Sequence, residues 1–229
     1  MTRPLALDLY CGAGGAAAGL YRAGFDVEGV DINPQPNYPI CRGIWFVQRD
    51  ALTIDPDHLR KFALIWASPP CQAHTAMKSM HNAKPHEDLI PATRAMLRAS
   101  GALYVIENVP GAPLEDPVTL CGTMFGLGVP GAELRRHRGL EANFTVPRLE
   151  CRHGLQPATI GLYGGHVRNR KRREGSHARG VADFSIAEGY SAMGIDWMSL
   201  TELSESIPPA YAEYVGLAAR AALLRSRAA

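Results

Sequence analysis

The sequence predicts an α/β fold: a doubly wound, mostly parallel, Rossmann-like sheet carrying a small loop-rich insert. Three observations lead there. Short apolar runs alternate with helix-length segments through the first half of the chain. Those runs are hydrophobic enough to be covered on both faces, as strands of parallel sheets are. A glycine-rich turn, Gly12-Ala13-Gly14-Gly15, follows the first run and opens a segment of small residues.

Taken in order, Leu5-Ala6-Leu7-Asp8-Leu9-Tyr10 reads as a strand, and residues 12–24 as a turn entering a helix. A second strand covers residues 27–32. Further short strands fall at 46–48, 64–67 and 103–106, with a helix over 88–100 between the last two. After Arg138 the periodicity weakens, and residues 139–190 read as a loop-rich insert or small subdomain. Residues 168–176 within it are expected to be mobile without a ligand. Regular structure resumes at Ile207-Pro208-Pro209, with a proline-started terminal helix reaching Leu224. The expected organisation is a catalytic core over 1–138, a reduced basic insert over 139–190 and a C-terminal return to the core over 191–229. No internal repeat is visible.

A chain of 229 residues can bury about 70% of its unfolded surface, enough for one compact domain. No apolar stretch approaches the ~20 residues of a membrane span, and the first residues run straight into a strand pattern. A cytoplasmic monomer without membrane contact is the expectation. Five widely spaced cysteines, an odd number, argue for reduced thiols over a disulfide framework. Charge is unevenly spread. Between Arg135 and Arg179 stand 11 Lys/Arg against three Asp/Glu, leaving 13 against 19 elsewhere. A single-sign segment of that size suits a polyanion such as nucleic acid.

Ligands of open α/β sheets bind at the carboxyl ends of strands. Asp8, Asp31, Asp50, Cys71 and Glu107 all fall at or just past such ends. The turn after the first strand fits G-x-G-x-x-A, with Asp31 placed to accept from ribose hydroxyls; it serves a nicotinamide cofactor or S-adenosylmethionine equally well. Cys71 follows Pro69-Pro70, whose rings fix the backbone and aim the side chain. That marks it as a candidate nucleophile, whereas Cys11, Cys41 and Cys121 read as small buried hydrophobes. Glu107 ends an apolar strand, where burial favours a proton-donating role; an arginine-paired carboxylate is the alternative. Cys151 and His153, taken with His166 and His177, match no standard zinc spacing, so no metal is expected.

These motifs together resemble DNA cytosine carbon-5 methyltransferases, in the compact form often seen in bacteriophage genomes. Residues 8–15 are similar to the family's cofactor loop, Pro69-Pro70-Cys71-Gln72 to its catalytic motif, and Glu107-Asn108-Val109 to its acid motif. Leu134-Arg135-Arg136-His137-Arg138 resembles its arginine motif, and Ile207-Pro208-Pro209 its last motif. The resemblance implies S-adenosylmethionine held by Asp8, Tyr10, Gly12, Gly14, Asp31, Ile32, Asp50 and Pro70. It implies catalysis on a flipped cytosine by Cys71, Glu107, Arg136 and Arg138. Arg168, Arg170, Lys171, Arg172 and Arg173 would meet DNA phosphates. The sequence departs from the family pattern at Leu134, where a glutamine is usual, and at Ser204-Glu205, where Gly-Asn is usual. The other readings are an inactive or weak DNA-binding relative, an RNA cytosine methyltransferase, and a nicotinamide-dependent oxidoreductase.

Overall fold

The structure, a computed structural model, describes residues 2–74, 87–163, 165–169 and 184–228. Its centre is a seven-stranded sheet of β1 (Leu5–Leu9), β2 (Asp26–Asp31), β3 (Ile44–Gln48), β4 (Leu64–Ala67), β5 (Leu103–Asn108), β6 (Val118–Leu120) and β9 (Arg138–Ala142). The spatial order is β3-β2-β1-β4-β5-β9-β6. The first five strands are mutually parallel, and β9 runs antiparallel to both its neighbours. Strand order reverses between β1 and β4, which opens a crevice beyond their carboxyl ends.

Period-two alternation divides the core between the two faces of this sheet. Ala6, Trp66 and Val105 lie in one buried cluster with Leu20 and Phe25 near helix α1 (Gly15–Arg22) and Tyr211 and Val215 of the terminal helix, α6 (Pro209–Ala228). Leu7, Leu9, Ile65 and Ile106 lie in another, with Leu59 of α2 (Pro56–Leu59) and Leu97 of α3 (Ile90–Ser100). Helix α1 presses on α6 closely enough that a side chain at Gly19 would collide with the Pro209 carbonyl. Helix α6 begins on Pro209, as the sequence predicts. No helix among the described residues is long and apolar enough to cross a membrane.

A second, four-stranded sheet has the order β11-β10-β8-β7, from β7 (Gly128–Val129), β8 (Ala132–Leu134), β10 (Ala158–Tyr163) and β11 (His166–Asn169). Helices α4 (Ile186–Met193) and α5 (Leu200–Glu205) cover it through Ala192, Met193 and Leu203, packed with Leu134, Ile160 and Leu162. Ser185 and Ser199 each begin their helix with a reciprocal capping box. Within the span expected as loop-rich, the described residues hold β10, β11 and the irregular stretch 143–157, while the small sheet also takes in residues before the expected boundary. Residues 128–134 already belong to the small sheet, while 138–142 return to the large one. The physical reason is Glu141. It is buried at 3% exposure inside β9, where a bidentate pair with Arg94 (2.8 and 2.7 Å) satisfies it, and this breaks the apolar pattern of a core strand.

Candidate active site

The rim of the large sheet gathers the residues singled out from sequence. After β1 the chain turns sharply: Tyr10 has φ 57°, and Gly12 and Gly14 have φ 48° and 80°. Open space lies where a Cβ at Gly12 would stand, whereas one at Gly14 would meet Pro39 at 2.6 Å and one at Gly15 would collide with Ser206, so the turn is open on its Gly12 side and packed on the other. The Gly12 amide donates to Asp31 Oδ2 at 3.0 Å across the ends of β1 and β2, and the Asn33 amide donates to Oδ1 at 2.9 Å. Beside it, Ile32 is 62% exposed, an apolar side chain held in the open at the mouth of the crevice. The Tyr10 hydroxyl is bonded to Thr93 Oγ1 of α3 at 2.9 Å, which fixes its ring. Asp50, just beyond β3, accepts from the Leu52 amide at 3.0 Å.

Asp8 behaves differently from its rim neighbours. It is fully buried inside β1, and neither carboxylate oxygen has a hydrogen-bond partner of good geometry. Burial pushes its carboxyl well above the usual carboxylate range; the nearby Ala17 amide offsets this in part, and the charges of Asp31 and Glu107 reinforce it. A buried carboxyl left without a donor, directly below an open glycine turn, is a site that a polar ligand would complete.

Past β4, Pro69 is buried, Pro70 exposed and Cys71 half-buried. The loop is tied at both ends. Asn108 Nδ2, at the end of β5, donates to the Pro69 carbonyl at 2.9 Å, and the His74 amide donates to the Cys71 carbonyl at 2.9 Å. His74 in turn bonds Asp88 at 3.0 Å, and Asp88 caps α3 through the Ile90 amide at 3.0 Å. The thiol is thus neither sealed inside nor turned outward. Burial pushes it up from the usual cysteine value; Arg138 and Arg136 pull it back, and Glu107 opposes them. Glu107 itself, 6% exposed, pairs with Arg138 Nε at 3.0 Å. The arginine-paired carboxylate is therefore what the structure contains, and its partner comes from the arginine motif. β9 delivers Arg138 by pairing with β5 in a register that sets Asn108 opposite Gly139.

Arg136 and Arg138 do not share one task. Arg136 is buried and donates to the carbonyls of Leu162 (2.8 Å) and Ser204 (2.7 Å), while the Tyr211 hydroxyl donates to its carbonyl at 2.5 Å. Its guanidinium links β10 and α5 through these carbonyls and keeps Nε unpartnered, while its own backbone carbonyl is the group tied to α6. Burial and Arg138 depress its pKa. Of the basic residues assigned to phosphate contact, Arg168 lies on β11, while Arg170, Lys171, Arg172 and Arg173 lie outside the described residues, as does His177.

Sequence reading missed Asn108 as the tie on the catalytic loop, Thr93 as the partner of Tyr10, and Arg94 with Glu141. It also took Cys41 as buried, whereas it is exposed in the bridge between Cys41 and Ile44. Four further groups converge elsewhere: Cys121, His137, Cys151 and His153 place their ligand atoms within 4.8 Å of one another. Cys151 and His153 meet as neighbours in sequence suggest, but His166 is not among them.

The parallel sheet with its antiparallel β9, the glycine turn and the acid at the end of β2 make up a mixed α/β, Rossmann-like fold of the kind typical of class I S-adenosylmethionine-dependent methyltransferases. Among curated proteins, the chain is 30% identical over 131 residues to the type II methyltransferase M.XorII of Xanthomonas oryzae pv. oryzae. That match covers 48% of this chain and 29% of the relative's length. No protein-family model matches the sequence. Among solved structures, the fold is similar to a putative DNA modification methyltransferase encoded within an E. coli prophage, with TM-score 0.58, 16% identity, and 97% and 99% of the two chains covered. It is equally similar to the S. pombe Dnmt2 methyltransferase, with TM-score 0.58, 17% identity and 96% and 99% covered. The Entamoeba histolytica methyltransferase EhMeth follows at TM-score 0.57, 10% identity and 97% and 99% covered. S-adenosylmethionine is the cofactor consistent with this class, and the open turn, the orphaned Asp8 carboxyl and the exposed Ile32 fit it.

Proposed function

We propose that this chain methylates carbon 5 of cytosine in a nucleic acid, with DNA as the first substrate, through a covalent bond from Cys71. The observation that carries this reading is the placement of a half-buried thiol, aimed by Pro69-Pro70 and tied by Asn108, in the field of the Glu107–Arg138 pair. The glycine-loop oxidoreductase reading assigns no work to that constellation.

Asp31 would hold the ribose hydroxyls, Tyr10 and Ile32 the faces of the adenine, and Asp50 its polar edge. Gly12 leaves backbone room for the methionine portion, Gly14 lets the turn close on Pro39 and Tyr38, and Pro70 bounds the space between cofactor and base. When bound, S-adenosylmethionine supplies an electrophilic methyl group. Cys71 Sγ, as thiolate, bonds to carbon 6 of the cytosine and the carbon 5–carbon 6 π pair moves to carbon 5, making that carbon nucleophilic. Glu107 would bond to ring nitrogen N3 through a proton shared between the two, which stabilises the developing charge. Arg138 holds Glu107 in place and favours the thiolate. Once carbon 5 carries its new substituent, a base removes the carbon 5 proton, the double bond re-forms and Cys71 leaves as thiolate. A stacked base cannot reach a sulfur in this crevice, so the cytosine must be flipped out.

Support for DNA comes from the basic stretch between Arg135 and Arg179 and from the similarity to M.XorII and to the prophage protein. The likeness to Dnmt2 makes RNA the comparison to run beside it. The test is trapping on DNA and on RNA containing 5-fluorocytosine, in the presence of S-adenosylmethionine. The expected result is a denaturation-resistant adduct with DNA, lost in Cys71→Ser while cofactor binding remains. An adduct with RNA alone would reassign the substrate. No adduct with either polymer would leave a non-catalytic binding protein, and an adduct that survives Cys71→Ser would refute the mechanism.

A further inference from the structure

We infer that Cys121, His137, Cys151 and His153 form a structural zinc site, which clasps three separate segments of the chain behind the catalytic crevice. This inference stands on its own ligands and does not depend on the substrate proposed above. The four residues are 121, 137, 151 and 153 in sequence, a spacing that fits no local zinc motif, and only the fold brings them together. Cys121 follows β6, His137 lies between β8 and β9, and Cys151 and His153 sit in the loop before β10.

The donor set and the geometry both suit zinc. Two thiols and two imidazoles are the ligands of a closed, tetrahedral structural site. Bond lengths of about 2.3 Å to sulfur and 2.0–2.1 Å to nitrogen put the ligand atoms of such a site roughly 3.3–3.8 Å apart. Here the Cys121 Sγ to His153 Nε2 and Cys151 Sγ to His137 Nε2 distances are both 3.4 Å, and all four ligand atoms lie within 4.8 Å of each other. The closest pair, Cys151 Sγ and His153 Nε2 at 2.7 Å, would open to about 3.6 Å around an ion. The imidazole rings of His137 and His153 stand edge to face, 5.1 Å apart and 80° inclined, so that both present nitrogen to one point.

The surroundings are those of a built site. Thr123 Oγ1 donates to Cys121 Sγ at 3.3 Å and lies 3.6 Å from Cys151 Sγ, a hydroxyl placed to steady thiolate ligands. Cys121 is buried while Cys151 and His153 are exposed, which gives an ion a route in from solvent. On the far side of His153, the Glu133 carboxylate accepts from the amides of Gly154 (2.8 Å), Leu155 (3.1 Å) and Gln156 (3.3 Å), and so pins the same loop to β8. Burial opposes ionisation of Glu133, but these amides and Arg135 outweigh it and lower its pKa. Two independent devices therefore anchor one loop.

The place of His137 gives the site its consequence. It stands between Arg136 and Arg138, so an ion holding its ring fixes the segment that carries one arginine into the small sheet and the other to Glu107.

The test is metal analysis of the full chain purified from zinc-supplemented cells without a metal-affinity tag, together with Co(II) replacement. We expect about one zinc per chain, and a cobalt form whose visible absorption shows tetrahedral, thiolate-bound metal. Cys151→Ser, at an exposed position, should cut bound zinc at least tenfold while the circular dichroism stays that of a folded protein. Chelation of the wild type should lower Tm by about 5–15 °C, reversed by zinc and not by magnesium. Folded wild-type protein with less than about 0.1 zinc per chain would overturn the inference, as would zinc content in Cys151→Ser and His153→Ala equal to that of the wild type. A Cys121–Cys151 disulfide in protein kept under reducing conditions would also overturn it.

Discussion

Replacing Asn108 by alanine separates the placement of Cys71 from its chemistry. Asn108 is 2% exposed; its Nδ2 donates to the Pro69 carbonyl at 2.9 Å and its Oδ1 accepts from the Val109 amide at 2.9 Å. Truncation leaves the Pro69 carbonyl buried without a donor, which costs about 1–3 kcal/mol. For a chain of this size each kcal/mol corresponds to roughly 2–4 °C, so Tm should fall by about 2–12 °C. Function should suffer more than stability. The bond is the tie between the end of β5 and the loop that aims the sulfur, and a displacement of about 1 Å at a reacting atom can cost on the order of 100-fold. The assay compares single-turnover trapping on 5-fluorocytosine DNA with the cofactor Kd and with thermal melting. The expected outcome is trapping slowed about 10- to 100-fold, a cofactor Kd changed less than about threefold, and a modestly lowered Tm. A lowered Tm with unchanged trapping would refute the claim that Asn108 positions the nucleophile.

Other perturbations read separate parts of the site. Glu107→Gln removes a charge that raises the Cys71 thiol and leaves Arg138 free to lower it, so alkylation of the unliganded protein by iodoacetamide at pH 7–8 should speed up several-fold while methylation falls by a factor of 100 or more. Slower alkylation would contradict the electrostatic account. Glu141→Gln breaks a pair whose side chains are 12% and 4% exposed, and should destabilise the protein by about 3 kcal/mol at neutral pH in urea melts. Burial works against ionisation of Glu141, but Arg94 and the Glu115 amide outweigh it and depress its pKa, so its stabilisation is present above about pH 4.5 and is lost as pH falls through the lower folded value. Wild type and variant should therefore converge in stability in acid and diverge above that range; parallel pH curves would refute this assignment.

The readability of this chain from sequence followed the reach of its interactions. Strands β1, β4 and β5 are short, mostly apolar runs buried on both faces, and their ends carry rim groups because parallel strands must all finish on one side. The aim of Cys71 was legible because two adjacent prolines act locally. Strand β9 was not, since Glu141 needs Arg94 from a helix 47 residues away before burial is tolerable. The anchoring of Arg136 was hidden for a related reason: sequence shows a charge beside Arg138, but only the fold shows Leu162 and Ser204 closing on its guanidinium. The Cys/His cluster escaped because its four members come from three segments: Cys121 read as a small buried hydrophobe, and Cys151 and His153 were set beside His166 and His177, with which they form no standard spacing.

The antiparallel placement of β9 ties a buried ion pair to a distant loop. Hydrogen-bond pairing with β5 sets how far Arg138 stands from Glu107. The stretch at 143–157 that follows β9 is held to the same place, because it returns Cys151 and His153 to His137, next door to Arg138. A change of length there would pull on the pair from behind.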